Sequence, residues 1–224
     1  MIILRKRKRV DVRQYAIFPI IFILVIIGYF IYTKYTENYN YLKQDKSKYL
    51  IYTISKTKSG SYNQYKPYIN LKGTIGEVAN NDINEYFNNF NKDNICITYD
   101  YDLSGKVLSL ILKVQDYSYA ENASINYFRT YNINLDTLEI LSKEQLLSYY
   151  ELTNDDLELK LDDQIHSYYN ELNLDKCDYN CFLKSRNITE GIEEAEFFVK
   201  DSRLIVFKPY ISMNNEEIKE FNIN

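Results

Sequence analysis

The sequence has few of the residues on which enzyme chemistry depends. It contains one histidine, His166, three cysteines and six glycines. It has neither the glycine-rich loop of phosphate-binding enzymes nor the Gly-x-Ser-x-Gly turn of serine hydrolases. His166 lies in the middle of a predicted helix, where a lone histidine is usually packed or solvated. These absences exclude most enzyme classes, and we expect a protein that is not an enzyme and binds no cofactor.

Carboxylates are the remaining candidates for general acid–base chemistry. Two acidic pairs stand out, Asp155–Asp156 and Asp162–Asp163. The first pair begins a predicted helix, where acids stabilise the helix dipole, and the second lies opposite an apolar stripe, as on a solvated face. A carboxylate-based wall hydrolase is therefore the least favoured hypothesis. It predicts a cleft in which two carboxylates face each other, one of them with a raised pKa.

The three cysteines do not form a metal-binding set. Cys177 and Cys181 have no second cysteine pair and no nearby histidine, so a structural zinc ion would lack ligands. At an oxidising cell surface the two can close a small disulfide. In a helix their sulfurs would lie one turn apart. The sequence does not decide whether this disulfide forms. Cys96 is expected to be a buried free thiol in a strand.

Charged residues are missing from residues 14–33. At about 1.5 Å per residue this segment spans about 30 Å, the thickness of the hydrocarbon core of a bilayer. The apolar run is long for a signal peptide, and no small-x-small cleavage site follows it. We therefore predict an uncleaved transmembrane anchor at residues 15–33, with a cleaved signal peptide as the alternative.

Charge is distributed unevenly around this segment. The first 14 residues hold six Lys and Arg against one Asp, a balance of +5, whereas the whole chain has a net charge of −4. Because cations beside a span stay in the cytoplasm, we predict a single-pass protein of the plasma membrane. Its parts are a cytoplasmic basic tail at 1–14, a stalk at 34–47 and an extracytoplasmic domain at 48–224. The chain after the tail sums to −9, so we expect an acidic domain without a basic patch and no nucleic-acid partner.

Strand patterns in the outer domain are interrupted by helical patterns. Strands are predicted at residues 49–54, 62–71, 95–101, 108–114, 127–135, 195–199 and 204–210. Helices are predicted at residues 75–90, behind a capping box at 142–145 and behind a second helix start at 153–156. Hairpin turns are predicted at 104–105 and 201–202.

Apolar and polar positions alternate in the central strands, as where Leu108 and Leu110 alternate with Ser109 and Lys113. This alternation predicts an antiparallel sheet with one covered face. Because proline cannot donate a hydrogen bond to a strand ladder, Pro67 predicts either that the second strand is an edge strand or that Pro67 lies at the start of the strand. We predict an α+β fold, in which one transmembrane helix is followed by an antiparallel sheet with helices packed on one face.

Four stretches, in this order, carry a resemblance to a known family: residues 65–84, 107–119, 131–141 and 197–210. Over about 150 residues the chain resembles the extracytoplasmic domain shared by RsiV-type anti-sigma factors and the N-terminal part of PdaC-type peptidoglycan deacetylases. The family's central loop often contains glycine and histidine, whereas residues 120–124 contain neither, and Leu138 stands where the family has a turn glycine.

The resemblance implies a domain that binds something at the cell envelope. RsiV-type domains bind lysozyme, and other members are fused to deacetylases. We expect this chain to have neither activity in full. A tail of 14 residues is too short to bind a sigma factor, and no deacetylase domain follows residue 224.

Tyrosine is abundant, with 24 copies. Tyr117, Tyr119 and Tyr127 flank the predicted central loop and form the candidate ligand surface; the alternative is that they pad the sheet, because tyrosine is a good strand residue. The leading hypothesis is a membrane-anchored binding or sensory domain of a bacterial envelope, whose ligand is a lysozyme-like protein or a wall glycan. The alternative is an accessory or structural subunit of a membrane complex.

Overall fold

The structure is a computed structural model that describes residues 25, 26, 29 and 50–223, except 91, 121, 175, 176, 190, 214 and 215. The predicted tail, the stalk and all but three positions of the predicted anchor lie outside the described residues. Val25, Ile26 and Tyr29 are helical. Within the described residues, no helix is both long and apolar enough to cross a membrane.

Residues Tyr49–Asn224 form one compact unit. The described members of its three hydrophobic clusters all come from Leu50 onward. Its elements are, in order, β1 (Ile51–Ser59), β2 (Tyr62–Ile69), α1 (Thr74–Asn89), β3 (Ile95–Ser104), β4 (Val107–Ala120), β5 (Ala123–Asn134), β6 (Glu139–Ile140), α2 (Lys143–Tyr149), α3 (Asn154–Leu172), α4 (Tyr179–Arg186), β7 (Glu196–Lys200), β8 (Arg203–Phe207), β9 (Tyr210–Met213) and β10 (Phe221–Asn222). The α+β class predicted from the sequence is confirmed.

Two sheets are formed. The large sheet has the order β1-β2-β3-β4-β5-β6, with β9 also paired to β5, and the small sheet has the order β10-β8-β7. The pairing of β2 with β3 is parallel and rests on Gln64 opposite Ile97, so the large sheet is mixed and not purely antiparallel as predicted. Pro67 is inside β2 and lies opposite Thr53, where the register of β1 shifts.

Both faces of the large sheet are covered at β4, and the prediction of one covered face is wrong. Leu108 and Leu110 pack in the cluster that includes residues of α1. Val107 and Ile111, which point the opposite way because strand side chains alternate, join the cluster built with α2, α3, α4 and the small sheet. Ser109, which the alternation had assigned to solvent, is fully buried. Helices therefore lie on both sides of the sheet.

The outer edge of β7 meets polar side chains on this second face. The amide of Asn132 on β5 donates to the carbonyl oxygen of Phe197 at 2.7 Å. The backbone N–H of Val199 donates to the hydroxyl of Ser109 at 3.3 Å, and that hydroxyl donates to the Asn132 side-chain oxygen at 2.6 Å. Ser109 and Asn132 are direct partners in the β4–β5 ladder. Two buried polar side chains thus satisfy backbone groups of a strand that has no neighbour on this side within the described sheets.

The turn after β7 is held in the same way by β3. The N–H of Asp201 donates to the Asp102 carboxylate at 2.9 Å, and the N–H of Ser202 donates to the Ser104 hydroxyl at 3.0 Å. Asp102 lies opposite Ser109 in the β3–β4 ladder. We call Asp102, Ser104, Ser109 and Asn132 the polar row. It runs across three strands and fixes where the β7–β8 hairpin lies on the sheet.

The predicted helix at residues 75–90 is confirmed as α1, but one side chain has another role than expected. Asn80, a polar residue of a type that is usually exposed, is buried. Its amide donates to the Ile69 carbonyl oxygen, and its side-chain oxygen accepts from the Ile69 N–H, both at 2.8 Å. The side chain thereby replaces a strand partner for Ile69. Val78, assigned to the apolar face, is 50% exposed.

Local signals predicted the starts of α2 and α3 and the two hairpin turns, whereas α4 was not predicted. Ser142 with Gln145 and Thr153 with Asp156 both form complete capping boxes. Gly105 has a φ of 60°, a conformation that favours glycine, in the turn between β3 and β4. β9 and β10 were not predicted as separate strands.

We expect Asn132→Ala to lower the free energy of unfolding by about 2 kcal/mol, since it leaves the Phe197 carbonyl without its partner. Urea unfolding followed by circular dichroism measures the change. Asn88→Ala, at an exposed position of α1, is the control and should cost less than about 0.5 kcal/mol. Equal effects of the two substitutions would show that the polar row does not hold β7.

Candidate functional site

The structure separates the three tyrosines of the candidate ligand surface. Tyr119 and Tyr127 line one cavity, whereas Tyr117 lines a different groove. All three are placed by the β4–β5 hairpin, whose ladder is irregular between Asp116 and Ala120. This irregularity lies in the segment that carries Tyr117 and Tyr119. We consider the two cavities in turn.

The first cavity has a volume of about 620 Å³. We call it the tyrosine cavity. Its lining residues come from β4, β5, β9 and the end of α4, and they are Tyr119, Ile125, Tyr127, Lys184, Ser185, Asn187, Glu194, Pro209, Tyr210 and Ile211. Its lining therefore combines aromatic and aliphatic side chains with a few polar ones, which is the usual composition of a ligand pocket.

The two tyrosines of the cavity differ in exposure and packing. Tyr119 is 57% exposed, so its ring is available to solvent. Tyr127 is half-buried, and its ring lies 5.2 Å from the ring of Phe90. Burial and the nearby Asp116 carboxylate raise the pKa of Tyr127, so its hydroxyl stays a neutral donor and acceptor. One fixed ring and one exposed ring therefore flank the cavity.

The wall formed by α4 is bonded to the floor formed by β9. The buried Arg186 donates from Nη1 to the carbonyl oxygen of Ile211 at 3.1 Å. It also binds Glu216 through both terminal nitrogens, at 2.8 and 2.7 Å. Glu216 accepts a further bond from the hydroxyl of Tyr168. A bidentate, buried ion pair of this kind fixes geometry as well as adding energy, so the cavity is largely preformed.

Cys177 and Cys181 are joined by a disulfide whose Cα atoms lie 5.3 Å apart. They are not one turn apart on a helix. Cys177 precedes the N-cap residue Asp178, whose carboxylate accepts from the N–H of Cys181 at 2.8 Å. The bridge thus closes the start of the helix whose far end lines the tyrosine cavity.

The second cavity, which we call the polar groove, has a volume of about 410 Å³. Its lining is Thr98, Asp100, Lys113, Gln115, Tyr117, Ala123, Ser124, Ser212, Glu216, Glu217 and Ile218. Three of the charged groups are already paired: Lys113 binds Asp100 at 2.6 Å, and Glu216 binds Arg186. Glu217 has no ion pair with a described residue. The ring of Tyr117 is stacked on Tyr62 at 4.2 Å. A ligand here would have to displace these contacts, so the tyrosine cavity is the better site.

Two carboxylates lie near the outer edge of β5, and both are occupied by protein donors. Asp82 accepts from Arg129 at 3.0 Å and from the hydroxyl of Tyr131 at 2.6 Å. Glu196 accepts from the N–H and the hydroxyl of Thr130 at 2.9 and 2.6 Å. Burial raises the pKa of Glu196. Neither of the two cavities described above is lined by Asp82 or Glu196, although the charge of Asp82 contributes to the raised pKa of Glu196.

The remaining candidate groups lie outside the two cavities described above, and three of them, Asp155, Asp162 and His166, line a separate open cavity of about 580 Å³. His166 stacks on Tyr179 at 3.5 Å between ring centroids and lies 3.7 Å from Asp162. The carboxylate of Asp156 caps α3 through Thr153, which lowers its pKa. Cys96 is a half-buried free thiol, and burial raises its pKa. Among the described residues, no three His, Cys, Asp or Glu side chains are grouped to hold a metal ion.

Sequence reasoning identified Tyr119 and Tyr127 but missed the residues that complete their cavity. Lys184 and Asn187 come from the end of α4, and Ile211 from β9, which are distant in sequence from the tyrosines. One signal was present: Pro209 cannot continue a strand ladder, so a new strand was to be expected at Tyr210. The sequence did not indicate that this strand would pair with β5.

The raised pKa of Glu196 makes a prediction about stability. The folded carboxyl keeps its proton at pH values where the unfolded chain has lost it, so its contribution falls as pH rises from about 4 through the raised pKa. We expect Glu196→Gln, which keeps an oxygen for Thr130, to raise the unfolding free energy near pH 7. The gain should shrink near pH 4. Denaturant unfolding at both pH values measures this, with the exposed Glu217→Gln as control. A gain that is equal at both pH values would contradict the assignment.

Comparisons of the chain with family models, curated proteins and solved structures find no match. The resemblance to RsiV-type domains accordingly stays a prediction made from the residues, and the function is inferred from the geometry of the chain itself.

Proposed function

We propose that the protein is a membrane-tethered, non-enzymatic binding domain of the cell envelope, and that its ligand is a glycan of the wall. The single observation that carries the proposal is the tyrosine cavity, where the exposed ring of Tyr119 and the fixed ring of Tyr127 stand over an aliphatic floor. The RsiV-like order of strands and helices supports an envelope ligand as well.

The lining chemistry favours a glycan over an apolar ligand. Aromatic faces bind the C–H faces of sugar rings, while hydroxyl and amide groups on the rim bind sugar hydroxyls. Here Ser185 and Asn187 supply neutral polar groups, and Lys184 and Glu194 supply one charge of each sign. A pocket of about 620 Å³ lies within the range that encloses small ligands, ~300–1,000 Å³. One or two sugar units of a chain would fill it.

The proposal of a membrane tether and of an extracytoplasmic domain is supported by the sequence and by the disulfide. The uncharged segment at residues 15–33 is the proposed anchor, with the basic residues 5–9 and 13 on the cytoplasmic side. The bridge between Cys177 and Cys181 is the kind of bond that persists outside the cytoplasm. Both observations support a domain that faces the envelope.

Binding is tested with the full chain in detergent micelles and solubilised wall glycan as the probe, using calorimetry. We expect Tyr119→Ala to weaken binding by about fivefold, because one stacking ring is worth about 1 kcal/mol. Tyr127→Phe, which keeps the packing against Phe90, should weaken it less. The control is Tyr101→Ala, which removes a 49% exposed ring on β3 and should leave affinity unchanged.

Unchanged affinity in Tyr119→Ala would show that the tyrosine cavity is not the glycan site. A chain that ignores the glycan and instead binds lysozyme would overturn the choice of ligand in favour of a protein partner. Retention of the glycan by the control and loss by Tyr119→Ala supports the proposal.

Compartment is tested in intact cells with a membrane-impermeant maleimide, on a Cys96→Ser background that leaves only Cys177 and Cys181. We expect no labelling before reduction and labelling after an impermeant reductant is added. Labelling that requires broken cells would place the domain inside, whereas labelling without reduction would show that the pair is not bridged.

A further inference from the structure

Lysines are concentrated in the sequence around the first hairpin of the domain, and three of them lie within its strands. Residues 46–76 contain six lysines and no acid, at positions 46, 48, 56, 58, 66 and 72. Residues 77–224 contain thirteen Lys and Arg against twenty-eight Asp and Glu, a balance of −15. The expectation of an acidic domain without a basic patch is therefore wrong for β1 and β2, because the average hid this separation.

The lysine charges on the hairpin are not neutralised by the protein. Lys56, Lys58 and Lys72 are exposed and Lys66 is half-buried. None of the four takes part in an ion pair with a described residue, whereas Lys113, Lys200 and Lys219 all do. Lys56 instead lies 5.0 Å from the centre of the Tyr65 ring and Lys66 lies 5.2 Å from that of Phe87. Such cations attract an external anion.

Aromatic and aliphatic groups accompany these lysines. Tyr65 lies opposite Lys56 in the β1–β2 ladder, and Ile54 is 40% exposed. The rings of Tyr52 and Tyr68, 5.2 Å apart, lie on the other face of the hairpin. β1 is also the terminal strand of the large sheet within the described residues. A surface that combines lysine with tyrosine fits the headgroup region of a bilayer, where the ring is partly apolar and its hydroxyl is wet.

We propose that the β1–β2 hairpin is a contact surface for anionic phospholipid headgroups. The inference rests on the proposed membrane tether, because β1 begins only 18 positions after the end of the anchor at residue 33. Attraction between exposed charges falls off within about 10 Å at 0.1 M salt. A hairpin that the anchor holds near the bilayer is therefore the part of the domain that the charge of the lipid can attract. The acidic remainder is repelled by the same surface. Binding of a free phosphate polymer would not require the hairpin to lie near the anchor in the sequence.

The test uses the full chain in lipid discs of phosphatidylcholine with or without phosphatidylglycerol. A water-soluble acylating reagent modifies exposed lysines, and mass spectrometry measures the rate at each one. We expect Lys56, Lys58 and Lys72 to react several-fold more slowly in the anionic discs. Lys106 and Lys200 serve as internal controls and should react equally in both. Equal rates at the hairpin lysines in both discs would overturn the proposal.

Charge variants give the second measurement, with the segment 49–224 and vesicles of the same two compositions. This segment contains all the described members of the hydrophobic clusters, so we expect it to fold alone, and circular dichroism checks this. Lys56→Glu, Lys58→Glu and Lys72→Glu together should lower partitioning to anionic vesicles by roughly 100-fold. Lys106→Glu, Lys143→Glu and Lys200→Glu carry the same charge change elsewhere and should have a small effect. Equal losses in the two triple variants would show attraction by net charge alone.

Polyphosphate added to neutral discs separates lipid from other anions. Protection of the hairpin lysines by polyphosphate equal to that in anionic discs would show a general polyanion site and overturn the assignment to lipid. Failure of the tether is distinguishable, because a full chain that is washed from the discs by carbonate contradicts the anchor, while the vesicle measurement reports on the hairpin itself. Wall-glycan binding through Tyr119 should be unchanged in the lysine variants.

Discussion

The contact between the outer edge of β7 and the polar row is the constraint on which the rest of the domain depends. A strand that lies on the face of a sheet brings backbone donors and acceptors into a region without water, and each must find a partner. Ser109 and Asn132 supply these partners in the middle of an otherwise apolar face. Because Asp102 and Ser104 hold the following turn, the hairpin has one position along the sheet. The chain that follows it, β9, then reaches β5 and forms the floor of the tyrosine cavity.

Buried polar side chains that bind backbone groups recur elsewhere in the domain. Asn80 replaces a strand partner for Ile69, and Arg186 joins α4 to Ile211 on β9. Lys208 is buried, which lowers its pKa, and its ammonium donates to the carbonyl oxygens of Thr189 and Gly191 at 2.6 Å. Each of these side chains connects segments that no ladder joins. The fold is therefore specified by a small number of polar contacts in addition to its apolar clusters, since apolar packing alone tolerates alternative arrangements.

Helices α1, α2 and α3 were predictable because their signals are local, whereas α4 was not predicted. Capping boxes at Ser142 and Thr153 and the apolar stripe of α3 depend on residues within a few positions of one another. The polar row was not predictable, because Ser109 and Asn132 follow the same alternation as residues that face solvent, and only the return of β7 buries them. The cavity was half predictable for the same reason: Tyr119 and Tyr127 flank one loop, whereas Lys184 and Ile211 arrive from distant segments.

Charge separation links the two proposed surfaces. A domain whose first hairpin is basic and whose remaining chain has a balance of −15 carries a strong electrical asymmetry, and beside an anionic bilayer the two parts are driven in opposite directions. The proposed tether would by itself limit distance but not direction. Attraction at Lys56 and Lys58 together with repulsion of the acidic remainder supplies the missing direction. The tyrosine cavity is lined by residues of this acidic remainder, so the asymmetry that would draw the hairpin to lipid would also keep the cavity away from it and available to a wall ligand.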